Sequence, residues 1–505
     1  MKLIDKVYED GKKVIVMVPE IALTPQLTLL FKSRYGDEVA VFHSNLSSGE
    51  RLDEFKRAKQ GKIKIAVGTR SAIFAPLENI GLIIMDEEHE HTYKSESSPR
   101  FHARDLAKLR CKYHNALLLL CSATPSIESY YMAENKRYTL NKLTKRYGGA
   151  MLPKVTIVDM NNEIESGNVD IFSRELISKL LNNIKNKKQS ILLMNRRGYN
   201  TYVRCGKCGE VITCKNCSIS MTYHSANNKM MCHYCGYSTG LPEICPACHE
   251  KALRFSGAGT QKIEDELEKL LPEAKILRMD ADTTLSKFSH EEKLKDFKDG
   301  KYDIMIGTQM VAKGINFPNV TLVGIINADQ ALYGEDFRSC EKAFALMTQV
   351  IGRSGRYKDI GEAVIQTYTP DNMVIQMAAN QDYEAFYEDE KEIRKIMLYP
   401  PFVSICVVVF CSKNREKSLL ASKFFFENLK MLVNEKYRSI PIRVLGPSEA
   451  TVLKVDNLYR HKIIVKFKES SEFRDMLEEL LLIMSNNKGF SSVGVFVDVN
   501  PDRIL

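Results

Sequence analysis

Residues 81–91 read GLIIMDEEHEH, and in them four apolar residues, Leu82 to Met85, run straight into Asp86, Glu87 and Glu88. A continuous apolar run of strand length is the pattern of a strand buried on both faces of a parallel sheet. The acids then fall at its C-terminal tip, where open α/β sheets place their ligands. Carboxylates there can hold Mg²⁺ and orient a water, although a solvated loop would also be rich in acids. The rest of the chain decides between these uses.

Working outward, VIVMV (14–18), VAVF (39–42), IKIAV (63–67) and ALLLLC (116–121) are further strand candidates, with amphipathic stretches such as PQLTLLFKSRY between them. This alternation predicts a first parallel α/β unit. A second follows. SRELISKLLNNIKNKK, with Ser173 as N-cap, leads into ILLM (191–194), and AKILRM, YDIMIG, VTLVGIIN and EAVIQTY come later. After about residue 380 the order becomes β-α-β-β-α-β, which predicts a small α+β domain. The expected divisions are 1–145 and 146–204 for lobe 1 and the start of lobe 2, 205–250 for an insertion, 251–378 for the remainder of lobe 2, and 379–505 for a C-terminal domain. A net charge of +9 fits a polyanionic partner. Tryptophan is absent, so any base-stacking surface must use Tyr, Phe or Arg. No apolar run approaches membrane-spanning length and the first residues mix charges too early for a signal peptide, so no membrane partner and a cytoplasmic location are expected.

Eight of the thirteen cysteines fall between 205 and 248 as C-x-x-C pairs: Cys205/Cys208, Cys214/Cys217, Cys232/Cys235 and Cys245/Cys248. Each pair can turn two thiolates onto one tetrahedral ion, so two structural Zn²⁺ are expected. The middle pairs fit a zinc ribbon and leave the outer pairs for a second ion. Sequential pairing, first with second and third with fourth, is the alternative. The metal serves rigidity alone or a grip on DNA or a partner.

Further stretches bear on the acids: VPEIALTPQL (18–27), GTRSAIFAP (68–76), CSATPS (121–126) and QVIGRSGR (349–356), in this order around DEEH. Together they resemble the motor of superfamily-two helicases. LLMNRRGY, the cysteine block, GTQMVAKGINFPNVTLVGIINAD and the ending VDVNP resemble, more narrowly, the bacterial primosomal replication-restart helicases, over essentially the whole chain. The resemblance implies two RecA-like lobes that use ATP and Mg²⁺. In it Asp86 holds the metal, Glu87 activates the attacking water and His89 reports nucleotide state. Gln349, Arg353 and Arg356, on one potential helix, reach the phosphates from lobe 2, and Lys313 and Gly314 contact nucleotide or DNA backbone. It also implies a DNA track through Thr24, Gln26, Thr69, Arg70, Ser71 and Thr124. The segment 91–105 would join that track, with Tyr93 and Phe101 stacking bases and Lys94, Arg100 and Arg104 neutralising phosphates.

One part of such a motor is not found. Gly-Lys occurs at 11–12, 61–62, 206–207 and 300–301, and in no case does Ser or Thr follow, so the phosphate-cradling run G-x-x-x-x-G-K-[ST] is absent from these 505 residues. KLIDKVYEDGKK reads as the helix that follows this loop, with Gly11 as its stop. The expectation is therefore a chain shortened at its amino terminus, lacking the loop, its strand and the preceding DNA-binding domains. Two functions follow. The first is an ATP-dependent DNA helicase unwinding 3′-to-5′ at stalled forks and assembling the primosome, with branched and single-stranded DNA, primosome proteins and single-stranded-DNA-binding protein as partners. The second is a non-hydrolysing fragment that binds DNA and the primosome. An RNA helicase is disfavoured by the cysteine block within lobe 2.

Overall fold

The computed structural model describes residues 1–19, 25–44, 46–144, 151–194, 202–205, 207–208, 210–216, 220–224, 229–232, 237–256, 260–279, 287–308, 317–333, 336–355 and 360–504. The first sheet holds five parallel strands: Val39–Phe42, Ile65–Gly68, Lys13–Met17, Ile80–Met85 and Leu117–Leu120, in that spatial order. The apolar runs fall on these strands within a residue or two because strands covered on both faces need apolar side chains at every position. Val14 and Leu82 face one core cluster, and Ile15 and Ile83 the other. The Leu117–Leu120 edge is different. Leu117 is 54% exposed, so an all-leucine strand lies at an open edge of the sheet. Gly68 closes its strand where a Cβ would stand 2.1 Å from the Phe42 carbonyl oxygen, so only glycine fits.

Lobe 2 is a six-stranded parallel sheet. Its order is Ile276–Met279, Ile304–Gly307, Gln189–Leu193, Val320–Ile325, Glu362–Thr367 and Lys154–Asp159. Its helix Arg174–Lys185 is capped as expected, with Ser173 Oγ accepting from Leu176 N. Two boundaries differ from expectation. Helix Ile127–Glu134, ahead of residue 145 in the chain, packs into the lobe-2 core through Ile127, Tyr130 and Tyr131. Helices Met373–Asn380 and Tyr383–Met397 do the same through Ile375, Ala378, Phe386 and Tyr387, so the lobe-2 core continues beyond residue 378.

The cysteine block forms a five-stranded antiparallel sheet between the lobe-2 strands. The C-terminal domain is a four-stranded antiparallel sheet with helices Arg415–Glu435 and Ser471–Asn486, in the predicted β-α-β-β-α-β order. Its long hairpin, Ile442–Val455 and Leu458–Phe467, turns at Asp456 and Asn457, both at positive φ. The tip reaches the cysteine block. Asn457 N donates to Asn216 O at 2.9 Å, Lys454 Nζ to Lys215 O at 3.2 Å, and Val455 packs on the cluster holding Cys214 and Cys232.

Candidate nucleotide site and metal centre

Strand Ile80–Met85 delivers its acids to the C-terminal rim of the first sheet. Asp86 N donates to Met17 O at 2.9 Å and Glu88 N to Cys121 O at 3.0 Å, which pins the turn to both neighbouring strands. Glu87 between them sits at φ +47°, in the left-handed region rarely used by side-chain-bearing residues. The three acids then diverge. Glu88 is buried and accepts from Ser126 N (2.6 Å), Ser129 Oγ (2.9 Å) and Arg104 Nη1 (3.1 Å), which ties the acid turn to helix Ile127–Glu134. Asp86 keeps an exposed tip, and Glu87 is half-buried. Their surroundings raise both carboxyls above their ordinary pKa: burial dominates, against a backbone hydrogen bond for Asp86 and the nearby His89 for Glu87. A carboxylate pair lifted in this way gains from a cation, so the donor set suits Mg²⁺.

Lobe 2 faces this turn. Gln349, near the end of helix Ser339–Ile351, donates through Nε2 to Glu87 Oε2 at 3.3 Å, and the same nitrogen lies 3.1 Å from His89 Nε2. His89 Nδ1 lies 2.7 Å from Ser122 Oγ, so one imidazole joins the acid turn, the SAT segment and lobe 2. Arg353 is near enough for its charge to oppose the rise in Glu87's pKa. It does not share the helix of Gln349 as the sequence suggested: that helix stops at Ile351, and Arg353 follows in a turn, its N donating to Val350 O. Gly352 and Gly355 make the stop physically reasonable. Arg356, Lys313 and Gly314 lie outside the described residues, as do Thr24 and the side chain of Gln26.

The segment 91–105 holds a correction. Tyr93 is fully buried and donates to Asp86 O at 2.7 Å, so its ring has no face for a base. Lys94, 5% exposed, donates to Val499 O and Arg100 O and pairs with Asp498 at 2.8 Å. Arg104 is consumed by Glu88, Ser126 and Ser129. These three, read from the sequence as DNA contacts, turn inward because other groups of the fold satisfy their polar atoms: the Asp86 carbonyl for Tyr93, Asp498 and Val499 O for Lys94, and Glu88 with two serines for Arg104. Arg100 lies over the Phe496 ring at 4.3 Å, and Phe101 packs edge-on to Phe74 at 4.9 Å. Thr69 is buried with Oγ1 3.4 Å from Ser71 Oγ; Arg70 donates to Thr92 O and Lys94 O; Ser71 is exposed. Thr124 is buried, its N donating to Ser122 Oγ at 2.9 Å. His102, which the sequence reading passed over, caps helix Ala103–His114 by accepting from Arg104 N, and burial with the Arg104 charge holds it down to about 3.

In the cysteine block Cys205, Cys208, Cys245 and Cys248 present thiols within 4.8 Å of one another. The outer pairs therefore gather together, and the sequential pairing does not hold for them. Amides of Cys208 and Lys207 bring the Cys205 thiol down to about 6, toward the thiolate a metal requires. Four sulfurs at this spacing fit tetrahedral Zn²⁺. Cys214 and Cys232 are buried in one small core, with Asn216 N donating to Cys214 Sγ; their companions Cys217 and Cys235 lie outside the described residues.

Comparison with known proteins agrees with this layout. Residues 1–133 match the DEAD/DEAH box helicase family and residues 243–358 the helicase conserved C-terminal domain, which makes the two lobes those of a superfamily-two helicase. Residues 214–239 match the PriA DNA helicase Cys-rich region (CRR) domain, and residues 395–502 the primosomal protein N C-terminal domain. Replication restart protein PriA of Bacillus subtilis is 42% identical over 505 residues, covering 100% of this chain and 62% of that protein. Its Treponema pallidum counterpart is 38% identical over 508 residues, covering 100% and 75%. The chain belongs to the PriA replication restart family. Among solved structures, Saccharomyces cerevisiae Dbp5 bound to RNA and ADP BeF3 overlays 76% of this chain and 81% of its own at 13% identity and TM-score 0.42. Among the described residues no helix is long and apolar enough to cross a membrane.

Proposed function

We propose that this chain carries the motor lobes, zinc insertion and C-terminal domain of a replication-restart helicase, which couples ATP hydrolysis to 3′-to-5′ unwinding of branched DNA and to primosome assembly. The observation that carries this reading is Gln349 of lobe 2 resting on Glu87 and His89 of lobe 1. In phosphoryl transfer to water, the protein positions the nucleophile and neutralises charge. Asp86 would hold Mg²⁺, which would offset the charge of the phosphates. Glu87, its proton affinity raised by burial, accepts a proton from the attacking water. Gln349 and His89 hold the Glu87 carboxylate in place, and Arg353 and Arg356 meet the phosphates as the lobes close. Lys313 and Gly314, later in the sequence than strand Ile304–Gly307, join them. Two Zn²⁺ keep the insertion folded, one on the outer cysteine pairs and one on Cys214, Cys217, Cys232 and Cys235. Primosome proteins and single-stranded-DNA-binding protein are the protein partners, and the compartment is the bacterial cytoplasm.

A second reading rests on one feature of the sequence. Without a G-x-x-x-x-G-K-[ST] run, a polypeptide of these 505 residues lacks the amides and lysine that carry most phosphate contacts, and it binds DNA and the primosome without turnover. Phosphate release with forked DNA separates the two. Turnover abolished by Glu87→Gln supports the motor; DNA binding with no release and no response to ATP supports the second reading.

A further inference from the structure

Beside the acid turn, on the same C-terminal rim of the lobe-1 sheet, lies a cavity of 370 Å³. Its floor and walls are apolar, from Val18, Phe42, Phe55, Phe74 and Ala75. Phe55 and Phe74 expose 42% and 53% of their surface, a cost for large aromatic side chains unless something covers them. The polar groups sit among them: Arg51, Arg70, His43 and the hydroxyls of Ser71 and Thr92. No acidic residue appears among the described residues of the lining. Thr92 Oγ1 is buried with no hydrogen-bond partner among the described residues.

The cavity is built rather than incidental. Arg70 holds its side by donating to Thr92 O (3.2 Å) and Lys94 O (2.8 Å). Arg110 donates to the carbonyls of Ile73, Ala75 and Leu77, which fixes the turn that presents Phe74. Arg51 Nη2 donates to Ser44 O and Leu46 O, which places a guanidinium at the mouth. Phe101 supports Phe74 edge-on. An apolar slot with aromatic walls, hydroxyls among them and a cationic rim suits a ligand that is flat and apolar on its faces, polar on its edge and anionic at one end.

We propose that this cavity receives one unstacked nucleotide of a single-stranded DNA, its base against Phe55 and Phe74 and its phosphate at Arg51. The proposal rests on the DNA-motor reading and adds to it a base-binding slot, distinct from contacts to the phosphate backbone. Such a slot makes the grip on the strand depend on the presence of a base.

The test uses the 505-residue chain, a thymidine oligonucleotide, the same oligonucleotide with abasic sites, and a 5-iodouracil version for photocrosslinking. Phe55 and Phe74 are expected to carry the crosslink. Phe74→Ala should weaken binding of the intact strand about tenfold and leave the abasic strand unchanged, since stacking is lost and phosphate contacts are kept. Phe55→Ala should likewise weaken binding of the intact strand and spare the abasic one, and Phe55→Tyr, which restores an aromatic face, should recover most of that loss. Equal losses on both strands, or crosslinks confined elsewhere, overturn the slot while leaving the DNA reading intact. Thymidine monophosphate competing as strongly as the oligonucleotide overturns the assignment to a strand. Failure to bind any of the oligonucleotides overturns the DNA reading itself.

Discussion

Among the described residues the two lobes meet at the acid turn and around helix Ile127–Glu134, and the meetings are built differently. At the acid turn, Gln349 touches Glu87 and His89 through a single amide nitrogen, over half-buried carboxylate. Around helix Ile127–Glu134, charges are locked together. Arg394, 0% exposed, pairs with Glu341 and Glu390 at 2.8 Å, and Arg338 with Glu128 at 2.7 Å. Ile127 N donates to Glu341 Oε1 and Tyr383 OH to Pro125 O. One joint can be remade by rotating a side chain; the other cannot open without stranding buried charge. A cleft with one fixed side and one soft side lets lobe 2 respond at the acid turn while the SAT segment stays attached to it.

That contrast can be broken at its rigid side first. Arg394→Ala leaves Glu341, Glu390 and Glu128 without their shared cation and should cost about 3–5 kcal/mol in denaturant unfolding. A smaller loss is expected at the hairpin. Val455→Asp puts a charge against the cluster of Cys214 and Cys232 and should cost about 1–3 kcal/mol and speed release of zinc to a chromogenic chelator. The rigid joint also has an acid limit. Burial would raise Glu128, but Arg338, Arg394 and Arg104 outweigh it and hold the carboxyl at about 2. Its folded value is lowered, so its contribution is present above its unfolded value and is lost as pH falls toward about 2; Glu128→Gln should flatten the acid limb of the stability profile.

The soft side has the opposite sign. Asp86 and Glu87 have raised values, so their neutral forms are favoured in the fold and stability is lost as pH rises through those values. Millimolar Mg²⁺ should therefore raise the melting temperature most at pH above the folded values of this pair, where both carboxyls are ionised, and progressively less as pH falls through those values. The shift should vanish in Asp86→Asn. Smallest of all, Gln349→Ala should cost only about 0.5–1.5 kcal/mol, the net worth of an ordinary hydrogen bond, in the same unfolding experiment.

Much of the rigid framework could be read in the sequence. Apolar runs located the lobe-1 strands, Ser173 marked its helix, and four C-x-x-C pairs marked the insertion, because each signal is local. The strand Lys154–Asp159 escaped notice, since its residues alternate in character at an edge of the lobe-2 sheet. Tyr93, Lys94 and Arg104 looked like a surface for nucleic acid, and only the folded contacts show why they turn inward: Asp86 O for Tyr93, Asp498 for Lys94 and Glu88 for Arg104. Nor could spacing tell Glu87 from Glu88. A single left-handed residue at 87 accompanies their divergence, one acid reaching lobe 2 and the other an interior arginine.

The central claim is that the acid turn and the end of helix Ser339–Ile351, 262 residues apart, face each other across one site. Cysteines introduced by Glu87→Cys and Gln349→Cys, treated with a short bismaleimide and digested, test this directly. A linked peptide joining positions 87 and 349 within one chain, absent from either single variant, is the predicted result. Efficient labelling of both positions with no such link would contradict the account.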